Sequence, residues 1–257
     1  NTTAFNVWTS YTFNLFNMKK AMNHLSTGVK TVVDDPAGIG ISERMRAQAD
    51  GTAMARGNVE NGISMLQTAD SWLQKINDML SRMNELAIEA SDDSKSATDR
   101  ENAQVEFEEM QEEIANITSK YTASAKFNGL YLFRGGDGTA VLSNDQITGA
   151  QAGEDGQFTI QVGGDYKQLV TLELRNLTVT NTQNIGTVAT YYYNSSNVIT
   201  ASTRTEVTWS SIIDVNKLSI AQGDNAEEAV GKISKAIDFI ANARAQVGGQ
   251  QKRLEYT

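Results

Sequence analysis

The chain has no cysteine, one proline and one histidine in 257 residues. Without cysteine there are no disulfides and no thiolate metal sites, which suits a chain that is exported and stays outside without cross-links. The one histidine, His24, leaves little for an imidazole metal site or a histidine base and reads as a packing residue. The one proline, Pro36, permits long uninterrupted helices. No run of about eighteen apolar residues occurs, so no membrane span is expected. The opening NTTAFNVWTSYTFNLFNMKKAM lacks a basic region followed by an apolar block, so export is expected by a route other than the secretory signal. Basic residues are outnumbered and the net charge is −9. Such a chain repels phosphate backbones, and no nucleic-acid partner is expected.

What is present is helical periodicity. Leu66, Ala69, Leu73, Ile76, Leu80, Met83, Ala87 and Ala90 step by three and four, the seam of one helix meant for another. The spacing predicts a helix from Ile41 to Ala90. Gly51, Gly57 and Gly62 each weaken it by roughly 1 kcal/mol relative to alanine, so a bend is expected in its first half. SDDSKSA (91–97) reads as a loop. Thr98 with Glu101 reads as a capping box opening a second helix, which carries Ala103, Phe107, Met110, Ile114, Ile117 and Tyr121. Two such helices joined by a short loop form an antiparallel hairpin. A last helix, capped by Asp224 with Glu227, carries Ala226, Val230, Ile233, Ile237, Ile240 and Val247 towards Leu254. No helix stop follows, so the sequence is expected to continue past Thr257.

Residues 5–25 read as a helix with apolar groups on most sides, including Phe5, Trp8, Tyr11, Phe13 and Phe16. That pattern suits burial in a partner or an assembly. Gly28 is expected to end it, and Val29 to Gly40 reads as a connector. Between Arg134 and Gly223 the composition turns to glycine, threonine and asparagine with alternating apolar residues. Phe158, Ile160 and Val162 form one strand face and Val170, Leu172 and Leu174 another, with a turn at Gly163, Gly164 and Asp165. The threonines of 178–208 and Tyr191–Tyr193 favour strands. The expected fold class is α+β: a long-helix antiparallel bundle with an inserted small β-rich domain. The expected domains are an N-terminal inner helix (1–28), a discontinuous helical core (29–133 with 224–257) and a β-rich outer domain (134–223).

The segments LSTG (25–28), DDPAGIGISERMRAQ (34–48), NGISMLQTAD (61–70), SRMNELAIEA (81–90), FNGLYL (127–132) and QKRLEYT (251–257) together resemble bacterial flagellin. The likeness covers about residues 20–133 and 224–257; the middle third matches no pattern. It implies a structural, non-enzymatic subunit of the flagellar filament, outside the cell, that associates with itself and serves motility. It also implies an export chaperone and a cap protein as partners, and a helix beyond Thr257 that pairs with residues 1–25 as a coiled coil. VVDDPAG departs from the usual asparagine-, serine- and alanine-rich lead, and Trp8 and Trp72 are unusual. The hook–filament junction protein shares the DDP signature and is the nearest alternative, although NGISMLQTAD and RLEYT favour flagellin.

Several residues invite a more specific reading. Arg82, Leu86 and Glu106 fall where the resemblance places a patch met by a vertebrate innate immune receptor; the plainer reading is charged helix surface. Asp34 and Asp35 suggest paired carboxylates, but no histidine or third carboxylate accompanies them, and a structural role at the following helix start fits better. The glutamates at 106, 108, 109, 112 and 113 suggest calcium, yet a solvated helix face explains them. No cofactor and no metal are expected. Asn116, Asn176 and Asn194 match the glycosylation triplet, which means little in a bacterial chain. Tyr191–Tyr193 could stack on sugars, making a polysaccharide-binding surface protein a second reading. Strand packing is the favoured reading of the tyrosines, and the few basic residues of the insert argue against an acidic polysaccharide.

Overall fold

The computed structural model describes residues 2–28, 35–119, 122–135, 155–178, 181, 183–193 and 199–257. Two compact units divide them: residues 1–55 with 163–166, and residues 56–162 with 167–257.

In the first unit, α1 (Thr2–Thr27) is followed by Gly28 at φ +68°, whose N–H donates to the His24 carbonyl. This is the expected glycine stop. Helix α2 (Pro36–Ser91) begins at Pro36, not at Ile41. Proline and the nearby glycines had read as breakers. At the first helical turn, however, proline sacrifices no hydrogen bond, and Asp35 supplies the cap. Its Oδ1 accepts from Gly38 N at 2.8 Å and its carbonyl from Ile39 N. Such a cap contributes about 1 kcal/mol. Asp34, with the rest of 29–34, lies outside the described residues.

No break occurs along α2. In the second unit a Cβ at Gly62 would stand 2.4 Å from Ile160 Cδ1 and 3.3 Å from Leu254 Cδ1. This glycine makes room for a strand and a helix end rather than marking a bend.

Helix α3 (Ala97–Ile117) is capped by Ser96 with Asp99, not by Thr98 with Glu101. Both pairs fit the capping pattern; the serine lies nearer the end of α2, so the loop is shorter. Arg82 pairs with Glu106, and one heptad earlier on α2 Lys75 pairs with Glu113, one heptad later on α3. That constant offset makes the two helices antiparallel. Tyr121, expected at the end of the seam, lies outside the described residues.

Four short strands and two hairpin strands follow. β1 (Lys126–Phe127) and β2 (Leu130–Tyr131) flank Asn128–Gly129, both at positive φ. This turn demands such residues, and the Asn-Gly pair supplies them. β3 (Gly156–Gln161) pairs antiparallel with β4 (Leu169–Leu174), placing Phe158 opposite Leu172 and Ile160 opposite Val170. The two expected strand faces are therefore one face. β5 (Asn184–Tyr193) pairs antiparallel with β6 (Ile199–Thr208). A five-residue helix, α4 (Trp209–Ile213), leads to α5 (Gly223–Glu255). The cap position of α5 is Gln222, which makes no side-chain cap bond; the helix starts before Asp224, so the expected Asp224–Glu227 cap is not its start. Arg244 bonds Asp70 and Gln74 on α2, while Leu254 lies at Gly62, so α5 also runs antiparallel to α2.

Among the described residues the buried side chains of the hairpins share a core with the helices. Phe158, Leu172, Leu174, Leu177, Val207, Trp209, Ile212, Leu218 and Ile220 join Leu66, Leu73, Ile76, Phe107, Ile114, Ile233 and Ile240 in one cluster. It crosses the expected boundaries at 133/134 and 223/224. Helix α5 also covers the free edge of β4. Gln250 bonds both the N–H and the carbonyl of Glu173, and Arg253 Nη2 donates to the Thr171 carbonyl at 2.6 Å. An edge strand left open would template association with another chain.

Candidate assembly surfaces

The seams expected to drive assembly are used inside the chain. Leu66, Leu73, Ile76, Leu80, Met83, Phe107, Ile114, Ile233 and Ile240 are buried, and Met110 and Ile237 are partly buried against the same core. These side chains are therefore spent within the chain and are not free to meet another one.

Helix α1 offers the contrast. None of its 26 residues is buried. Trp8 is 63% exposed, and Tyr11, Leu15, Met18, Met22 and Leu25 are exposed as well. With Ala4 these six step by four and three over three heptads, a coiled-coil seam. In the sequence the other aromatics, Phe5, Phe13 and Phe16, mask it. Ile41, Met45 and Met54 extend the exposed apolar surface along the start of α2.

Arg82 Nε and Nη2 donate to the two carboxylate oxygens of Glu106 at 2.8 and 3.1 Å, and Nη1 donates to Glu85 at 3.1 Å. The donated bond from Arg82 holds the Glu106 carboxyl below its ordinary pKa, and Glu106 in turn raises that of the Arg82 guanidinium. The pair is half exposed. Leu86 is only 2% exposed and belongs to the core, so it does not share the surface with Arg82. A step of four brings residues to one side of a helix, but here that side is buried in the core one turn further on.

Because the folded-state pKa of Glu106 is depressed, its favourable interaction is present above the ordinary carboxylate pKa and is lost as pH falls through the folded value. Replacing Arg82 by Gln should return the Glu106 titration upward, measured by carbon NMR of the side-chain carboxyl. A midpoint unchanged by Arg82→Gln would show that the pair does not form in solution.

Sequence reasoning missed two buried glutamines of α3. Gln111 Nε2 donates to the Ile212 carbonyl at 2.5 Å, and Gln104 Oε1 accepts from Ile220 N at 2.6 Å and from Ser219 Oγ at 3.1 Å. Their signal was a polar residue at heptad spacing on an otherwise apolar face. Asn176 is buried and its Oδ1 accepts from Thr178, which places that triplet in the interior; Asn116 is exposed on α3, and Asn194 lies outside the described residues. The side chains of Tyr191–Tyr193 are not among those described. Among the described residues no three His, Asp or Glu side chains come together at metal-ligand spacing. No described helix is long and apolar enough to cross a membrane.

Residues 1–137, more than half of the chain, match the bacterial flagellin N-terminal helical region. The chain is 30% identical over 240 residues to the flagellar filament 31.3 kDa core protein of Treponema maltophilum, covering 93% of this chain and 71% of that protein. It is 28% identical over 259 residues to the flagellin of Halalkalibacterium halodurans, covering 100% of this chain and 76% of that one. Its fold is similar to that of the flagellar junction protein FlgL from Legionella pneumophila, with a TM-score of 0.55 at 14% identity, over 86% of this chain and 95% of that one. The last likeness concerns fold alone. The heptad helices, the Asn-Gly hairpin, the matched N-terminal region and these relatives converge: the chain belongs to the bacterial flagellin family.

Proposed function

We propose that the chain is a structural subunit of the flagellar filament, assembling outside the cell with copies of itself, and that α1 is one of its contact elements. The observation that carries the second part is the contrast in burial: the seams of α2, α3 and α5 are filled within the chain, whereas the whole seam of α1 is exposed. A water-exposed row of tryptophan, tyrosine, leucine and methionine is stabilised by covering it, at about 25 cal/mol per Å² of apolar surface. An export chaperone and a cap protein are further partners that membership of the family suggests. The junction reading draws on the shared DDP signature and on fold likeness, whereas the family match and the curated relatives favour the filament subunit. Receptor recognition at Arg82 and Glu106, and polysaccharide binding by the β-rich segment, are secondary readings that no contact in the chain favours.

Electron microscopy and sedimentation of the full-length protein, including the helix expected beyond Thr257, with and without filament seeds, test the assignment. Long filaments of regular diameter are expected; protein that stays dispersed at high concentration with seeds present would count against it.

A further inference from the structure

The eight methionines fall into two sets. Met65 and Met83 are buried, and Met79 and Met110 pack against the core. Met18, Met22, Met45 and Met54 are 55–72% exposed, and all four lie in the first 55 residues. Two of them, Met18 and Met22, are successive positions of the α1 seam, flanked there by Leu15 and Leu25. A thioether on a flexible stem fills an irregular apolar interface well. When exposed it is also open to two-electron oxidation, from which burial shields it.

We propose that Met18 and Met22 are an oxidation site that controls association of the free subunit, with a peroxide as oxidant. The inference rests on the reading of α1 as a contact element. In the step, a sulfur lone pair attacks one peroxide oxygen. The O–O bond breaks and an S–O bond forms. Sulfur is oxidised by two electrons, the peroxide is reduced, and after proton transfer the second oxygen leaves as water. The sulfoxide is a strong acceptor set in a row whose neighbouring members, Leu15 and Leu25, carry no side-chain donor. Covering the seam then buries an unsatisfied polar group, which opposes association. Once the seam is covered, the same sulfurs are shielded. Methionine sulfoxide reductases, one for each epimer, reverse the change.

The test treats the protein with hydrogen peroxide before or after assembly, maps sulfoxide by peptide mass spectrometry and measures the critical concentration by sedimentation. Met18 and Met22 should convert well before Met65 and Met83. The critical concentration of oxidised subunits should rise at least tenfold and return on reductase treatment. Conversion at Met18 and Met22 in filaments should be at least tenfold slower than in free subunits. In the double variant Met18→Leu with Met22→Leu, the critical concentration should change less than twofold on peroxide treatment, measured against the same variant left untreated. Oxidised parent that assembles normally overturns the inference while leaving the filament reading intact. Equal loss in the leucine variant overturns the assignment to these two residues. Failure of the untreated parent to polymerise overturns the filament reading, and this inference with it.

Discussion

Trp209→Ala is expected to remove about 5 kcal/mol from the stability of the second unit, since Trp209 is the largest fully buried side chain among the described residues. Trp209 is fully buried and opens α4. Its indole Nε1 donates to the Leu177 carbonyl at 2.5 Å, and its ring lies 5.9 Å from that of Phe239 on α5. It therefore joins the approach to the β5–β6 hairpin, the short helix after it and the last long helix. Truncating a buried tryptophan costs about 3–5 kcal/mol through lost transfer energy and a residual cavity. The stranded carbonyl adds about 1–3 kcal/mol. Domains are stable by only about 5–15 kcal/mol, so the variant should sit near its unfolding threshold. Urea unfolding followed at 222 nm measures the change.

Trp209→Phe separates the two contributions. It keeps most of the volume and loses the N–H, so it should cost about 1–3 kcal/mol. Fluorescence gives an independent check. Of the three tryptophans, Trp8 is exposed, Trp72 is half-buried and only Trp209 is fully buried, so loss of Trp209 should shift the native emission to the red. An alanine variant as stable as the parent would mean that the three elements are held together without this anchor.

The helical half of the fold was legible because it rests on repetition. The seam from Leu66 to Ala90 recurs often enough that single glycines do not obscure it, and tertiary contacts at Gly62 outweigh that residue's poor helix propensity. Alternation likewise identified β3 and β4. Helix ends were harder, because Ser96 and Thr98 both precede a carboxylate three residues on, and only loop geometry chooses between them. Helix α4 was hidden among threonines: five residues carry no period, and it is held by a Thr208–Ser211 capping box and the burial of Trp209. The candidate surface was half legible. The apolar richness of α1 was plain, but its seam emerged only when the residues were placed on a helix none of whose positions is buried. Leu86 shows the reverse error, since sequence spacing assigns a side of a helix without saying what covers it.

Charging the α1 seam should abolish assembly while leaving the fold intact. In Leu15→Glu with Met22→Glu, two carboxylates stand within one exposed row that, in a filament, is covered by apolar partners. Burying an unpaired carboxylate costs several kcal/mol, or forces its protonation. The critical concentration should rise at least a hundredfold, equivalent to about 2.7 kcal/mol. Because no residue of α1 is buried within the chain, the urea midpoint of the second unit should not move. Asn6→Glu with Asn17→Glu places the same charges on the polar side of the helix, away from the row from Ala4 to Leu25. That control should assemble within a few-fold of the parent, which separates the position of the charge from the charge itself. Sedimentation and electron microscopy report assembly, and circular dichroism reports the fold. If the seam variant polymerises like the parent, α1 makes no subunit contact. If both variants fail equally, net charge rather than the seam governs association. Loss in the seam variant alone, with an unchanged midpoint, assigns the contact to the row from Ala4 to Leu25.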